Sequence, residues 1–296
     1  MEPLRNPEEA WSRASVATID RAEVERRIGP TSEPIEVLTG GFASVNVRVG
    51  LDRVLRIKRG SSTLAKETTL LQRPWRSFRT PSVLATGDDF IVLEHLELRP
   101  LPATAGEAVG RALAEIHALT YAKTGFLGSD LSIATPFPGD GDQGFAARGY
   151  GHAMLSEAEP YLDATLAARI AAFLDGDAYA TRDALDVPVL CHCDFKVGNL
   201  HVTPAGELVV LDWEFAWAGP RLLDIGQLLR WHPPESFVRA FAAAYRAGGG
   251  VLVDGWRRLA AAIDLGHMLG VFAHNPIMRT TDDIPRRIAE TLDATR

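Results

Sequence analysis

Apolar and polar positions alternate with a period of two in "VNVRVGLDRVLRI", which puts Val45, Val47 and Val49 on one face and then Leu55 and Ile57. A period of two predicts strands, and the polar break at Gly50-Leu51-Asp52 predicts the turn between them. Upstream, Val16, Ile19, Val24 and Ile28 recur at helical spacing, so a short amphipathic helix is expected over 15–29. "STLAKETTLLQRP" reads as a helix opened by Ser62 or Thr63 and stopped by Pro74. "SVLATGDDFIVLEHL" reads as a second strand pair turning at Gly87-Asp88-Asp89. The first hundred residues therefore run strand, strand, helix, strand, strand, and "ELRPLPAT", with its two prolines, follows as a connector.

Beyond the connector the period changes to that of helices. "AGEAVGRALAEIHALT" places Val109, Leu113, Ile116 and His117 on one face. A Gly- and Pro-rich loop is expected over 125–151, and helices over 153–173, 221–231, 235–247 and 254–272. One β-rich island, 188–216, interrupts them. The pattern predicts an α+β chain of two lobes with a cleft between: a sheet lobe over 1–96 and a larger helical lobe over 97–296.

Composition narrows the field. The 296 residues are 46% hydrophobic and 23% charged, ordinary for a soluble domain with a sizeable core. With 31 basic and 38 acidic side chains the net charge is −7, which argues against a nucleic-acid partner. No apolar run approaches the roughly 18 to 20 residues needed to cross a bilayer, and the opening segment has no apolar core, so a cytoplasmic protein with no membrane partner is expected. Cys191 and Cys193 are too few for a four-ligand zinc site and read as small residues in a reducing compartment. Nothing in the sequence sets an oligomeric state.

The island carries the chemistry. "HCDFKVGNL" places His192, Asp194 and Asn199 on a polar loop, and the hairpin "NLHVTPAGELVVLDW", turning at Pro204-Ala205-Gly206, returns Asp212 beside Asn199. Phosphoryl transfer needs a carboxylate to orient the attacking hydroxyl and accept its proton, and hard oxygen ligands for Mg²⁺. On that reading Asp194 is the base, and Asn199 and Asp212 are the metal ligands. A lone Asp-x4-Asn is weak evidence, because both residues favour turns; the loop, hairpin, second Asp and preceding sheet lobe together are not.

Here the chain resembles the aminoglycoside phosphotransferases and choline kinases, small-molecule relatives of the protein kinases, over about 35–235. "HCDFKVGNL" looks like their catalytic loop, and "LDWEFAWAGPRLLDIGQLL" like their metal-binding segment followed by a structural carboxylate, here Asp224. The resemblance implies a protein-kinase-like fold and ATP or GTP as co-substrate. It implies that Lys196 can reach the transferring phosphate; a solvated lysine is the alternative. It makes His192 a structural residue bonded to backbone near the metal-binding segment; His117, within "LAEIHAL", reads as a core histidine. Cys193 departs from the family, where Gly is common.

Gly40 and Gly41 stand between two strands, where glycine lets backbone approach phosphate oxygens, and Ser44 adds a hydroxyl. Arg56 and Lys58 share a strand face, so one of them meets the α- and β-phosphates; the resemblance favours Arg56, with Glu67 as its acidic partner. The adenine or guanine ring is expected at the backbone of Glu94 to Glu97, with Glu94 and Leu96 as the contacting residues. The other partner is a small-molecule hydroxyl acceptor, held by the helical lobe. Asp254, Asp264, Asp282 and Asp283 suit a cationic, aminoglycoside-type compound or simply a wet surface, and Trp213, Trp217 and Trp231 suit a quaternary ammonium or simply packing. Kinases of choline-like compounds, sugars or macrolides, and a nucleotide-binding protein without turnover, are the alternatives. A protein kinase is disfavoured because no Ala-Pro-Glu segment follows Asp212.

Overall fold

A computed structural model of the protein describes residues 2–8, 18–38, 44–58, 64–137, 147–176 and 187–294. The helix expected over 15–29 is α1 (Arg21–Ile28), where Asp20 accepts the Glu23 amide at 2.7 Å as the N-cap. A five-stranded antiparallel sheet follows, in the order β1-β2-β3-β5-β4. Its strands are β1 (Ile35–Leu38), β2 (Ser44–Val49), β3 (Arg53–Lys58), β4 (Val83–Thr86) and β5 (Phe90–Glu94). The alternating face packs as the pattern demands: Val45, Val47, Val49, Leu55, Ile57 and Val92 are buried with Val24 of α1 in a small core of their own. Helix α2 (Leu64–Leu71) lies between β3 and β4.

The rest of the described chain is mainly helical, as expected. Helix α3 (Gly106–His117) buries Val109, Leu113, Ile116 and His117 and pairs with α7 (Glu235–Ala247). The two helices approach so closely that a Cβ on Gly106 or Gly110 would sit 2.4 Å from the carbonyl oxygen of Phe237 or Phe241. Between them come α4 (Ala147–Ala158), α5 (Ala164–Asp175) and α6 (Arg221–Leu229), and the chain closes with α8 (Trp256–His274) and α9 (Asp283–Ala294).

Two expectations need correction. The single helix expected over 153–173 is two, α4 and α5, parted by a 3₁₀ turn at Glu159–Tyr161, because Pro160 has no amide to donate and favours a helix start over a helix interior. The loop expected over 125–151 contains two short strands, β7 (Gly125–Leu127) and β8 (Ile133–Pro136). They join β12 (Trp217–Gly219) and β9 (Val189–Cys191) in a small sheet that lies under the catalytic segment. A second small sheet, of β6 (Arg99–Pro100), β10 (Leu200–Val202) and β11 (Leu208–Val210), forms the expected hairpin.

Although early in sequence, residues 2–8 lie against the helical half. Pro3 pairs with Pro102, and the Leu4 amide donates to Leu101 O at 2.8 Å. Between the sheet and the helices opens a cleft of about 1540 Å³, and it receives Arg56, Glu67, Asp194, Lys196, Asn199 and Asp212 from segments far apart in sequence.

Candidate active site

The catalytic loop is built by backbone capture. Asp224, fully buried on α6, accepts the amides of His192 and Cys193, both at 2.8 Å. Gln227, one turn on, accepts the Phe195 amide at 2.9 Å and donates to Cys193 O at 2.9 Å. These four bonds hold Cys193 at φ +62°, a left-handed conformation that glycine adopts without cost. A glycine, which the resemblance makes common at this position, would take that conformation without strain. Burial pushes the Cys193 thiol well up, with Asp224 and Asp194 adding to it, so it is no nucleophile. His192 places Nε2 2.9 Å from Leu211 O, and burial holds the ring below its ordinary pKa; it ties the catalytic loop to the segment that carries Asp212. His117 is buried as expected but also bonded, to Asp224 at 3.1 Å and to the Tyr245 hydroxyl at 2.7 Å.

Asp194 leaves this loop toward the cleft. Its Oδ1 lies 3.1 Å from Lys196 Nζ, and its Oδ2 accepts from Asn199 Nδ2 at 2.7 Å. Asn199 Nδ2 also donates to Asp194 O at 2.8 Å, and two acceptors on one side fix the amide so that Oδ1 turns the other way. The Leu211 amide donates to Asn199 O at 2.9 Å, which sets Asp212 next to Asn199. Asp212 stands at φ +69°. Trp213 is anchored beneath it, fully buried and stacked on Trp75 with ring centroids 5.3 Å apart. Trp217 is buried too, so neither belongs to an ammonium box; Trp231 donates to Glu8 at 3.0 Å.

Across the cleft, Arg56 is the hub of a carboxylate cluster. Its Nη2 bonds Asp212 and lies 3.3 Å from Glu214, and its Nε lies 3.4 Å from Glu67. Burial alone would lower the guanidinium, but Asp212, Glu67 and Glu214 outweigh it and keep Arg56 charged. Burial likewise works against the Asp212 carboxylate, and Arg56 outweighs it and holds Asp212 below its usual range. Lys58 reaches Glu214 at 2.7 Å, and Ser44 Oγ donates to it at 3.3 Å. Both β3 cations thus face the site. Lys66, which the sequence did not mark, donates to Glu214 O at 3.0 Å and Ala216 O at 2.5 Å, and burial lowers it to about 8. Glu214 itself was legible only as part of a motif.

At the far end of β5, Ser82 O takes the Glu94 amide and Asp52 O the His95 amide, both within 2.9 Å. The Glu94 carboxylate pairs with Arg79 and accepts from Ser82 Oγ, so its side chain is not left for a base edge. Among the described residues nothing accepts from the Leu96 amide, which borders the cleft. Gly40 and Gly41 lie outside the described residues.

Glu67 offers a pH test. It is 1% exposed, and its Oε2 has no hydrogen-bond donor. Burial raises it to about 7; Arg56 opposes this, while Asp212 and Glu214 add to it. A raised folded-state pKa favours the protonated form in the fold, so its stabilising contribution is lost as pH rises through about 7. Without nucleotide or metal, the melting temperature of Glu67→Gln should fall less between pH 5 and about 8 than that of the unsubstituted protein. Parallel curves would contradict the assignment.

The sequence profile of a family described as "Phosphotransferase enzyme family" matches residues 34–262. The chain belongs to that family. It is accordingly a small-molecule kinase. No curated protein sequence matches it. Among solved structures it is similar to the macrolide 2′-phosphotransferase MphH from Brachybacterium faecium, at 19% identity and TM-score 0.61, over 91% of this chain and 96% of that one. It is similar to the streptomycin–ATP ternary complex of APH(2″)-IIa, at 14% identity and TM-score 0.64, over 94% and 97%. A choline/ethanolamine kinase family protein from Mesorhizobium loti matches at 19% identity and TM-score 0.57, over 88% and 93%. These likenesses bear out the two-lobed, protein-kinase-like α+β fold. Among the described residues no helix is long and apolar enough to cross a membrane.

Proposed function

We propose that this phosphotransferase moves the γ-phosphate of ATP or GTP onto a hydroxyl of a small molecule, in the cytoplasm, with residues 1–96 supplying most of the nucleotide site and 97–296 the catalytic and acceptor site. The observation that carries it is the convergence of Asp194, Lys196, Asn199 and Asp212 opposite Arg56 in one cleft. Asp194 orients the acceptor hydroxyl and takes its proton as the oxygen forms a bond to the γ-phosphorus. The bond from phosphorus to the β,γ-bridging oxygen breaks, and the nucleoside diphosphate leaves with that electron pair. Lys196 and Arg56 meet phosphate charge. Asn199 and Asp212 offer oxygen donors only, and the Asn199 amide is fixed with its oxygen free of any described donor, so the pair fits Mg²⁺. When bound, Mg²⁺ neutralises charge on the β- and γ-phosphates. The base lies against the Leu96 backbone, with Ser44 toward the phosphates.

The acceptor end is lined mainly by apolar side chains, among them Tyr150, Met154, Val271 and Met278, with His267 and His274 among its polar members. Of the four aspartates considered for a cationic acceptor, Asp264 is buried against Arg230, and the other three do not border the cleft. We therefore favour a hydroxyl carried on a molecule with an apolar face. A cationic, aminoglycoside-type acceptor is the second reading, favoured by the net charge of −7.

Nucleotide binding tests the first half of this proposal. ATP or GTP at a hundredfold excess over its Kd should stabilise the fold by about 2.7 kcal/mol with Mg²⁺, and clearly less with EDTA. A melt that neither nucleotide shifts under any metal condition would contradict it.

A further inference from the structure

The reaction as drawn uses Asp194 and Lys196 but gives no role to Glu8. Glu8 closes the described N-terminal segment, far in sequence from the catalytic loop, and its side chain is only 6% exposed. Its Oε1 is taken twice, by Arg230 Nη1 at 3.0 Å and by Trp231 Nε1 at 3.0 Å. Its Oε2 lies 3.1 Å from Lys196 Nζ, which is itself 3.1 Å from Asp194 Oδ1. Behind Arg230 stands Asp264, bonded to it at 2.9 and 2.7 Å. A line of alternating charge, Asp264, Arg230, Glu8, Lys196, Asp194, thus runs from α8 to the carboxylate that faces the reacting hydroxyl.

Burial works against an ionised Glu8, and Lys196 and Arg230 outweigh it and hold the carboxyl down at about 2. Because Arg230 and Trp231 pin Oε1, the position of Oε2 is fixed, and with it the point about which the Lys196 ammonium is held. Without that anchor, the lysine is held by Asp194 alone and is no longer drawn away from it. Balanced between two carboxylates, Lys196 is shared and can turn to the transferring phosphate.

We propose that Glu8 is a positioning residue of the phosphoryl-transfer step, acting through Lys196. This rests on the reading of Asp194 and Lys196 given above. The segment 2–8, pinned to the connector at Leu101 and Pro102, is then part of the working site.

A double-mutant cycle on the full chain tests it, with Glu8→Gln, Lys196→Met and the pair, read as γ-phosphate transfer from Mg·ATP or Mg·GTP to water or to the best small hydroxyl compound found. Glu8→Gln should lower kcat by about 10- to 100-fold, as a small misplacement near the reacting atoms does, with nucleotide KM within about twofold. In the Lys196→Met background the same change should alter kcat by less than about twofold, because the residue it acts through is gone. Glu8→Asp keeps the charge and shortens the reach by one methylene. It should give an intermediate kcat at an unchanged melting temperature, and it carries the test if Glu8→Gln does not fold. An equal loss in both backgrounds would mean that Glu8 supports the fold and not Lys196, and would overturn the proposal. So would an unchanged kcat in Glu8→Gln beside an active wild type. No turnover in the wild type would overturn the functional reading, and this inference with it.

Discussion

Replacing Asp194 by Asn will leave nucleotide affinity close to wild type and lower kcat by about 10² to 10⁴, the range that a positioned acid–base group supplies. Asn still accepts from Asn199 Nδ2, which lies 2.7 Å from Asp194 Oδ2, so the loop keeps its shape. Lys196 keeps its bond to Glu8 at 3.1 Å. The proton acceptor is lost. Titration with Mg·ATP and Mg·GTP beside steady-state kinetics separates the two quantities. Asp212→Asn makes the contrast, since it removes a metal ligand and should weaken nucleotide binding as well as turnover. Equal loss of affinity in both variants would show that the roles have been divided wrongly.

The largest structural effect is expected at Asp224. It is fully buried and accepts the amides of His192 and Cys193 and, at 3.1 Å, the His117 ring. Asp224→Ala strands two buried amides, each costing about 1–3 kcal/mol, so unfolding free energy should drop by about 2–6 kcal/mol. The same amides hold Cys193 at φ +62°, so the loop that presents Asp194 relaxes and turnover falls even where the variant remains folded. Denaturant titration and kcat should therefore fall together. A variant that melts like wild type and turns over normally would refute the claim that Asp224 builds the catalytic loop.

Local pattern made much of this legible. Strand β2 alternates because one face packs on the small core and the other is more open, β3 carries the same apolar face although its Arg56 face is buried in the cleft, and α3 shows its apolar face at helical spacing. Asp194, Asn199 and Asp212 could be read because loop, hairpin and return are contiguous in sequence. What sequence hid falls into three kinds. Strands β7 and β8, of 3 and 4 residues, are too short for alternation to show against a loop. The split between α4 and α5 turned on Pro160, whose helix-breaking effect the apolar spacing on either side masked. Glu8 sits in a polar stretch with no period of its own, and its partner Arg230 is 222 residues away, so only the fold makes it meaningful. Likewise the left-handed backbone at Cys193 is imposed by tertiary bonds, and the residue type does not announce it. Arg56 and Lys58 share a strand face, and their spacing alone does not tell their surroundings apart. In the fold both reach the Glu214 carboxylate, so both charges enter the cluster.

The most direct test of the central claim is transfer of labelled γ-phosphate. ATP and GTP, each with Mg²⁺, are incubated with a panel of hydroxyl compounds, some with an extended apolar face and some polycationic, and the label is followed into product. The account predicts label in an acceptor with an apolar face, dependence on Mg²⁺, and loss of the product with Asp194→Asn at undiminished nucleotide binding. Label in polycationic compounds alone would move the acceptor to the second reading. No transfer to any compound or to water, or transfer that survives Asp194→Asn intact, would contradict the account of this cleft as a phosphoryl-transfer site.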